Sequence, residues 1–93
     1  MIKNFGNKET EYLFESGKSR KIPSTILKVA RRKLDMIDAA KELADLRIPP
    51  ANRLEALVGD LIGFHSIRIN KQWRVIFEWK EDGAHNVEIV DYH

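Results

Sequence analysis

The sequence predicts an α+β domain in which two or three N-terminal helices pack on one face of a small antiparallel sheet. In the first half of the chain, apolar residues recur at the helical spacing of three and four positions. In the last third, apolar and polar residues alternate with the period of two that a strand requires. The helices all precede the strands, an order that suits an α+β domain better than a parallel βαβ sheet.

The composition indicates one small domain spanning residues 1–93. The chain has 93 residues, of which 43% are hydrophobic, enough for a core of modest size. It has no cysteine, which excludes disulfides, thiolate zinc sites and cysteine nucleophiles and fits a reducing cytoplasm. No segment is apolar enough for a secretion signal or a membrane span, so we expect a cytoplasmic protein without membrane association.

The first predicted helix is bounded by Asn7, a good N-cap residue, and Gly17, which favours a left-handed helix end. The residues that fill its apolar face are Tyr12, Leu13 and Phe14. Residues 1–5, which include the apolar residues Ile2 and Phe5, are a candidate edge strand.

The second and longest predicted helix follows Pro23, with Ser24 as its N-cap. Its core-facing residues are Ile26, Leu27, Ala30, Leu34, Ile37 and Ala40. The basic residues that lie mostly off this stripe, and that should be solvated, are Lys28, Arg31, Arg32 and Lys33. Residues 40–46 either continue the helix or follow a bend, and Pro49-Pro50 ends the helical region.

The predicted strands cover residues 54–57, 66–70, 73–79 and 87–92, with a hairpin turn at Asp82-Gly83. Because side chains alternate between the two faces of a sheet, parity decides which face is buried. The odd-numbered residues expected in the core are Ile67, Ile69, Trp73, Val75, Phe77, Trp79, Val87 and Ile89. The even-numbered residues expected on the opposite face are Arg68, Asn70, Gln72, Arg74 and Tyr92.

Pairing Ile67 with Val75 across the two central strands places Arg68 directly opposite Arg74. Like charges at paired positions destabilise a sheet, whereas an anionic ligand would relieve the repulsion. A surface that serves solubility alone is the competing interpretation. Further basic residues scattered along the chain favour a long polyanion with phosphodiester linkages over a small carboxylate.

The last three residues, Asp91, Tyr92 and His93, combine a carboxylate, a phenol and an imidazole at the end of a strand. Such a group could transfer protons at neutral pH. Glu55 is a further candidate because it follows the Pro-Pro turn and could point into the same cleft. The histidines are well separated, no carboxylate-rich loop exists and no glycine-rich phosphate loop is present, so we expect no metal site and no cofactor.

Four segments carry a resemblance to a known family: residues 52–57, Gly59-Asp60, residues 65–74 and residues 88–93. The stretch Ser-Ile-Arg-Ile-Asn-Lys-Gln-Trp-Arg and the terminal Asp-Tyr-His are the most specific of them. Together with the N-terminal residues, they resemble the HigB-type toxins of the RelE superfamily over almost the whole chain. The resemblance implies a compact antiparallel sheet with helices packed against it.

It also implies a ribosome-dependent mRNA endoribonuclease, the toxin of a bacterial type II toxin–antitoxin pair. Such a toxin cuts mRNA in the ribosomal A site without a metal, inhibits translation and is neutralised by a HigA-like helix-turn-helix antitoxin. Contact with DNA would occur only through that antitoxin. The same residues could instead form a binding module that docks on ribosomal RNA without cutting it.

Carried over by position, the catalytic residues are His93, Tyr92, Asp91 and Arg74, to which we add Glu55. The residues expected to bind RNA phosphates are Arg68, Lys71, Gln72 and Arg74. Many family members have a histidine where this chain has Glu55 and a lysine where it has Val58, so we expect weak cleavage. In this hypothesis the arginines hold the phosphate and His93 protonates the leaving oxygen. Glu55 or Asp91 takes the 2′-proton, and Tyr92 orients the nucleotide or shares in the proton transfer.

Overall fold

A computed structural model describes residues 1–92 and confirms the α+β prediction. The helices and strands, in chain order, are α1 (Lys8–Ser16), α2 (Leu27–Ala39), β1 (Glu55–Ala56), β2 (Phe64–Arg68), β3 (Trp73–Lys80) and β4 (Gly83–Asp91). Short 3-10 turns cover Ser24–Ile26, Leu43–Arg47, Pro50–Asn52 and Gly59–Leu61. The strands form one antiparallel sheet in the order β1-β2-β3-β4.

Helix α1 has the predicted ends. The Asn7 side chain accepts a hydrogen bond of 2.9 Å from the backbone N–H of Thr10, and Gly17 closes the helix with a φ of 78°. The buried hydroxyl of Thr10 in turn accepts a 3.0 Å hydrogen bond from the N–H of Ile89. This bond fixes the helix to the strand that leads to the C-terminal residues.

The predicted N-cap of the second helix is wrong. Ser24 lies inside a 3-10 turn that begins after Pro23, and α2 itself starts only at Leu27. Pro23 occupies the cap position of this turn, and among residues 1–92 no side chain caps it. Helix α2 ends at Ala39, because Asp45 accepts the N–H groups of Lys41 and Glu42 and so holds a bend.

The basic face of α2 is not uniformly solvated as predicted, because Lys33 is buried at 7% exposure. Its Nζ donates a 2.7 Å hydrogen bond to Oδ1 of Asn52, a fully buried residue in the 3-10 turn Pro50–Asn52. That turn folds back over the helix and covers the lysine. The pKa of Lys33 is lowered, chiefly by this burial and secondly by the charge of Arg32.

The parity rule correctly predicts the buried face of the sheet. Ile67, Val75, Phe77 and Val87 are fully buried, and Ile89 is nearly so. The remaining residues predicted for this face are partly buried and pack against the same core: Ile69, Trp73 and Trp79.

The strand register also follows the prediction in β2 and β3. Ile67 pairs with Val75, and Arg68 pairs with Arg74. A bulge shifts the register between β3 and β4 by one residue near Asn86, whose φ is 52°. Residues 1–5 follow the outer side of β4 through isolated parallel bridges rather than as a full strand. Among residues 1–92, no helix is long and apolar enough to cross a membrane.

Candidate active site

Arg74 lies at the centre of the candidate site, and its side chain is 12% exposed. Its Nη1 donates a 2.5 Å hydrogen bond to Oγ of Ser66 and a 3.4 Å bond to the carbonyl of Arg53. The same nitrogen forms an ion pair with Oε1 of Glu55 at 3.3 Å. The guanidinium carbon lies 5.5 Å from the centre of the Tyr92 ring, within the range of a cation–π contact.

The sheet register explains why these groups converge. Glu55 in β1 pairs with Ser66 in β2, and both lie on the same sheet face as Arg68 and Arg74. Arg53, just before β1, has a left-handed backbone with a φ of 46°. The strands β1, β2 and β3 thus contribute Glu55, Ser66 and Arg74, whose side chains meet at one place on the sheet.

An open cleft of about 320 Å³ surrounds Arg74. The residues that line it are Arg53, Glu55, Arg68, Asn70, Lys71, Arg74 and Tyr92. Four of them are cations and one is a carboxylate, so the cleft favours an anionic ligand. Five of the predicted site residues therefore line one cleft, and Glu55 is among them. Their catalytic and binding roles stay predictions.

The remaining predicted residues within the described chain lie beside this cleft. Nε2 of Gln72 donates a 3.0 Å hydrogen bond to Oδ2 of Asp91, and the Gln72 carbonyl accepts the backbone N–H of Tyr92. Gln72 thereby holds the end of β4 against the loop that joins β2 to β3. The remaining predicted catalytic residue, His93, lies outside the described residues.

Neither of the other two histidines lines this cleft, but His65 lies next to it, because it lines an adjoining pocket together with Arg53 and Glu55. His65 stacks on Phe77 in the core at 6.3 Å between ring centres, and its Nδ1 has no hydrogen-bond partner among residues 1–92. His85 lies in β4, with Nε2 2.6 Å from Oδ1 of Asp82. This hydrogen bond is the main cause of the lowered pKa of Asp82. Within the described residues, no group of three or more histidines and carboxylates could hold a metal ion.

A protein-family model described as the RelE-like toxin of the type II toxin–antitoxin system HigB matches residues 3–93. The chain belongs to this HigB-like toxin family. It is 48% identical over 87 residues to "Toxin HigB-1" of Vibrio cholerae serotype O1, covering 92% of each chain. It is 32% identical over 93 residues to "Endoribonuclease HigB" of Proteus vulgaris, covering the whole of both chains. An uncharacterized Haemophilus influenzae protein is 48% identical over 67 residues, which cover 72% of this chain and 66% of that protein.

Sequence reasoning missed two contributors to the site of this HigB-like toxin. Ser66 has the same parity as Arg68, which could have indicated a position on the arginine face, but a lone serine carries no chemical signal. Arg53 contributes its carbonyl to Arg74 as well as its own charge to the cleft. Only the fold of the segment before β1 places that carbonyl there.

Proposed function

We propose that this toxin is an mRNA endoribonuclease that works on translating ribosomes, cutting in the A site without a metal. A HigA-like helix-turn-helix antitoxin neutralises it, DNA is reached only through that antitoxin, and the pair acts in the cytoplasm. The observation that carries the proposal is the cleft around Arg74. This cleft combines several cations with a carboxylate and a phenol. The chain also aligns over its whole length with a protein named as an endoribonuclease.

Arg74 is suited to hold the scissile phosphate. Within residues 1–92, its polar contacts to Arg53, Ser66 and Glu55 all involve Nη1. The N–H groups on Nε and Nη2 therefore stay available for phosphoryl oxygens, which guanidinium groups bind in a bidentate manner. Arg68, directly opposite on β2, adds a second positive charge to the same cleft. Both charges would stabilise the negative charge that develops in the transition state.

The bond changes require one base and one acid. The 2′-oxygen of the ribose forms a bond to phosphorus while the bond from phosphorus to the 5′-oxygen breaks. Glu55, whose side chain is 48% exposed, is an accessible base for the 2′-proton, and Asp91 is the other candidate. His93 gives a proton to the departing 5′-oxygen, and Tyr92 orients the nucleotide.

Positioning by the ribosome contributes much of the rate in this proposal. The cleft is open and shallow, so a free RNA strand would be held loosely. A translating ribosome fixes the mRNA and so supplies the orientation that the small toxin lacks. Free RNA should therefore be cut far more slowly than mRNA on ribosomes.

Mapping of mRNA 5′ ends in expressing cells tests the proposal against the binding-module alternative. An endoribonuclease produces new 5′ ends at defined positions within A-site codons. Translation arrest without new ends would show a toxin that binds and does not cut. His93→Ala should abolish both the new ends and growth inhibition. If the partner proposal is correct, growth should be restored by co-expressing a helix-turn-helix protein that is encoded next to the toxin gene.

A further inference from the structure

A second cleft of about 400 Å³ opens beside the one that contains Arg74. Arg53, Arg68 and Asn70 line both clefts, so the two are adjoining parts of one surface. Helix α2 supplies Arg32 and Lys33 to the far side of the second cleft. Among the described residues that line it, the ionisable ones are four cations and none is a carboxylate, whereas Glu55 lines the first cleft.

Lys33 is the unusual member of this cleft, because it is a buried ammonium without a carboxylate partner in the described chain. Its one hydrogen-bond acceptor among residues 1–92 is Oδ1 of Asn52, at 2.7 Å. The Asn52 side chain is held in that orientation by a 3.1 Å bond from its Nδ2 to the carbonyl of Leu46. A buried charge without a charged partner is costly, and an anionic ligand in the cleft would offset that cost.

We propose that the second cleft binds an RNA phosphate adjacent to the one cut at Arg74. This inference rests on the proposed function, because it extends the same strand across a shared wall. Arg53 and Arg68 lie between the two clefts and would contact the strand between successive phosphates, while Arg32 and Lys33 hold the second one. The remaining lining residues, Val29, Ala51 and Ile69, offer no aromatic ring on which a base could stack. The cleft therefore binds backbone and is indifferent to base sequence.

Fluorescence anisotropy with uncleavable 2′-O-methyl RNA tests this site without depending on catalysis. A dinucleotide carries one linkage and occupies the Arg74 cleft alone, whereas a hexanucleotide reaches both clefts. Arg32→Gln should weaken hexanucleotide binding about fivefold and lower the salt slope by about 0.7, the contribution of one single-strand phosphate contact. It should leave dinucleotide binding unchanged. Arg20→Gln, a change at an exposed loop arginine that lines neither cleft, is the matched control and should alter the affinity for neither RNA.

Two results would overturn the site. Equal hexanucleotide affinity for Arg32→Gln and Arg20→Gln would exclude a phosphate contact at Arg32. If Arg32→Gln weakened the binding of the dinucleotide and the hexanucleotide equally, Arg32 would act only through long-range electrostatic attraction, and the second phosphate site would be wrong. The binding assay uses RNA that cannot be cut, so its result does not depend on catalysis. If the wild-type toxin failed to cut mRNA on ribosomes, the proposed activity would be refuted, but the binding measurement would still test this site. Lys33→Met, measured in the same way where it folds, should reproduce the selective loss.

Discussion

Arg74 donates a 2.5 Å hydrogen bond from Nη1 to Oγ of Ser66, a residue with no solvent exposure. The serine holds Nη1 from inside the sheet, while Arg74 lines the cleft on the other side. If the serine hydroxyl were removed, Nη1 of Arg74 would keep its contacts with the Glu55 carboxylate and the Arg53 carbonyl within the described chain. Ser66 is accordingly a positioning residue for the phosphate-binding group.

Ser66→Ala should reduce mRNA cleavage on ribosomes by about 10- to 100-fold, because a hydrogen bond to a charged group is worth about 1.5–3 kcal/mol. Stability should fall by no more than about 2 kcal/mol, since alanine fits the same space. The control is Ser19→Ala, which removes a 3.0 Å bond to the N–H of Ile22 away from the cleft. Ser19→Ala should retain full cleavage, and Ser66→Thr should recover part of it. Unchanged cleavage by Ser66→Ala would rule out the positioning role.

Glu55→Gln separates a catalytic base from a simple counterion of Arg74. If Glu55 takes the 2′-proton, the single-turnover rate should fall by about 100-fold or more. Affinity for uncleavable RNA should rise severalfold, because a negative charge leaves the cleft. Glu81→Gln in the exposed hairpin turn is the matched control. A variant with higher RNA affinity and an undiminished rate would assign Glu55 to charge balance alone.

Gln72 holds Asp91 and Tyr92 in place through hydrogen bonds, so changes there should affect activity and spare the fold. Gln72→Ala removes the 3.0 Å bond to Asp91 and should lower cleavage about tenfold. Gln72→Glu places a second carboxylate against Asp91 and should lower cleavage further. Both side chains are exposed, so the melting temperature should hardly change. Full cleavage by Gln72→Glu would contradict this role.

The buried Lys33 predicts an alkaline effect on stability. Burial lowers its folded-state pKa below the ordinary 10.5, so the fold disfavours the charged form. At pH values below the lowered pKa, Lys33 is charged in the folded protein and the unfolding free energy is reduced. The unfolding free energy rises as the pH increases from the lowered pKa towards 10.5. The unfolding free energy of wild type minus that of Lys33→Met should increase across this window and level off above it. Urea denaturation at a series of pH values measures the difference, and a constant difference would exclude the effect.

The paired arginines could be predicted from sequence because strand parity is strict. Ile67 and Val75 must both face the core, and this fixes Arg68 opposite Arg74. The rule fails before the bulge at Asn86, where one extra residue reverses the faces. Ala84 is therefore buried although it is even-numbered.

The missed features depend on contacts between distant segments. Lys33 is buried because residues 50–52 fold back over α2, and no local pattern in the helix reveals that cover. Ser66 belongs to the site because the Arg74 side chain reaches its hydroxyl from the neighbouring strand. Local periodicity gives a side chain its face of the sheet, whereas its partners are set by how the segments pack together.

Cleavage by Arg74→Ala on purified translating ribosomes tests the central claim most directly. Wild-type toxin and Arg20→Ala, a change at an exposed loop arginine, should both produce defined cuts in the A-site codon. Arg74→Ala should produce none, while its melting temperature stays within a few degrees of wild type. A folded Arg74→Ala protein that cuts mRNA at the wild-type rate would contradict the proposal that this guanidinium binds the scissile phosphate.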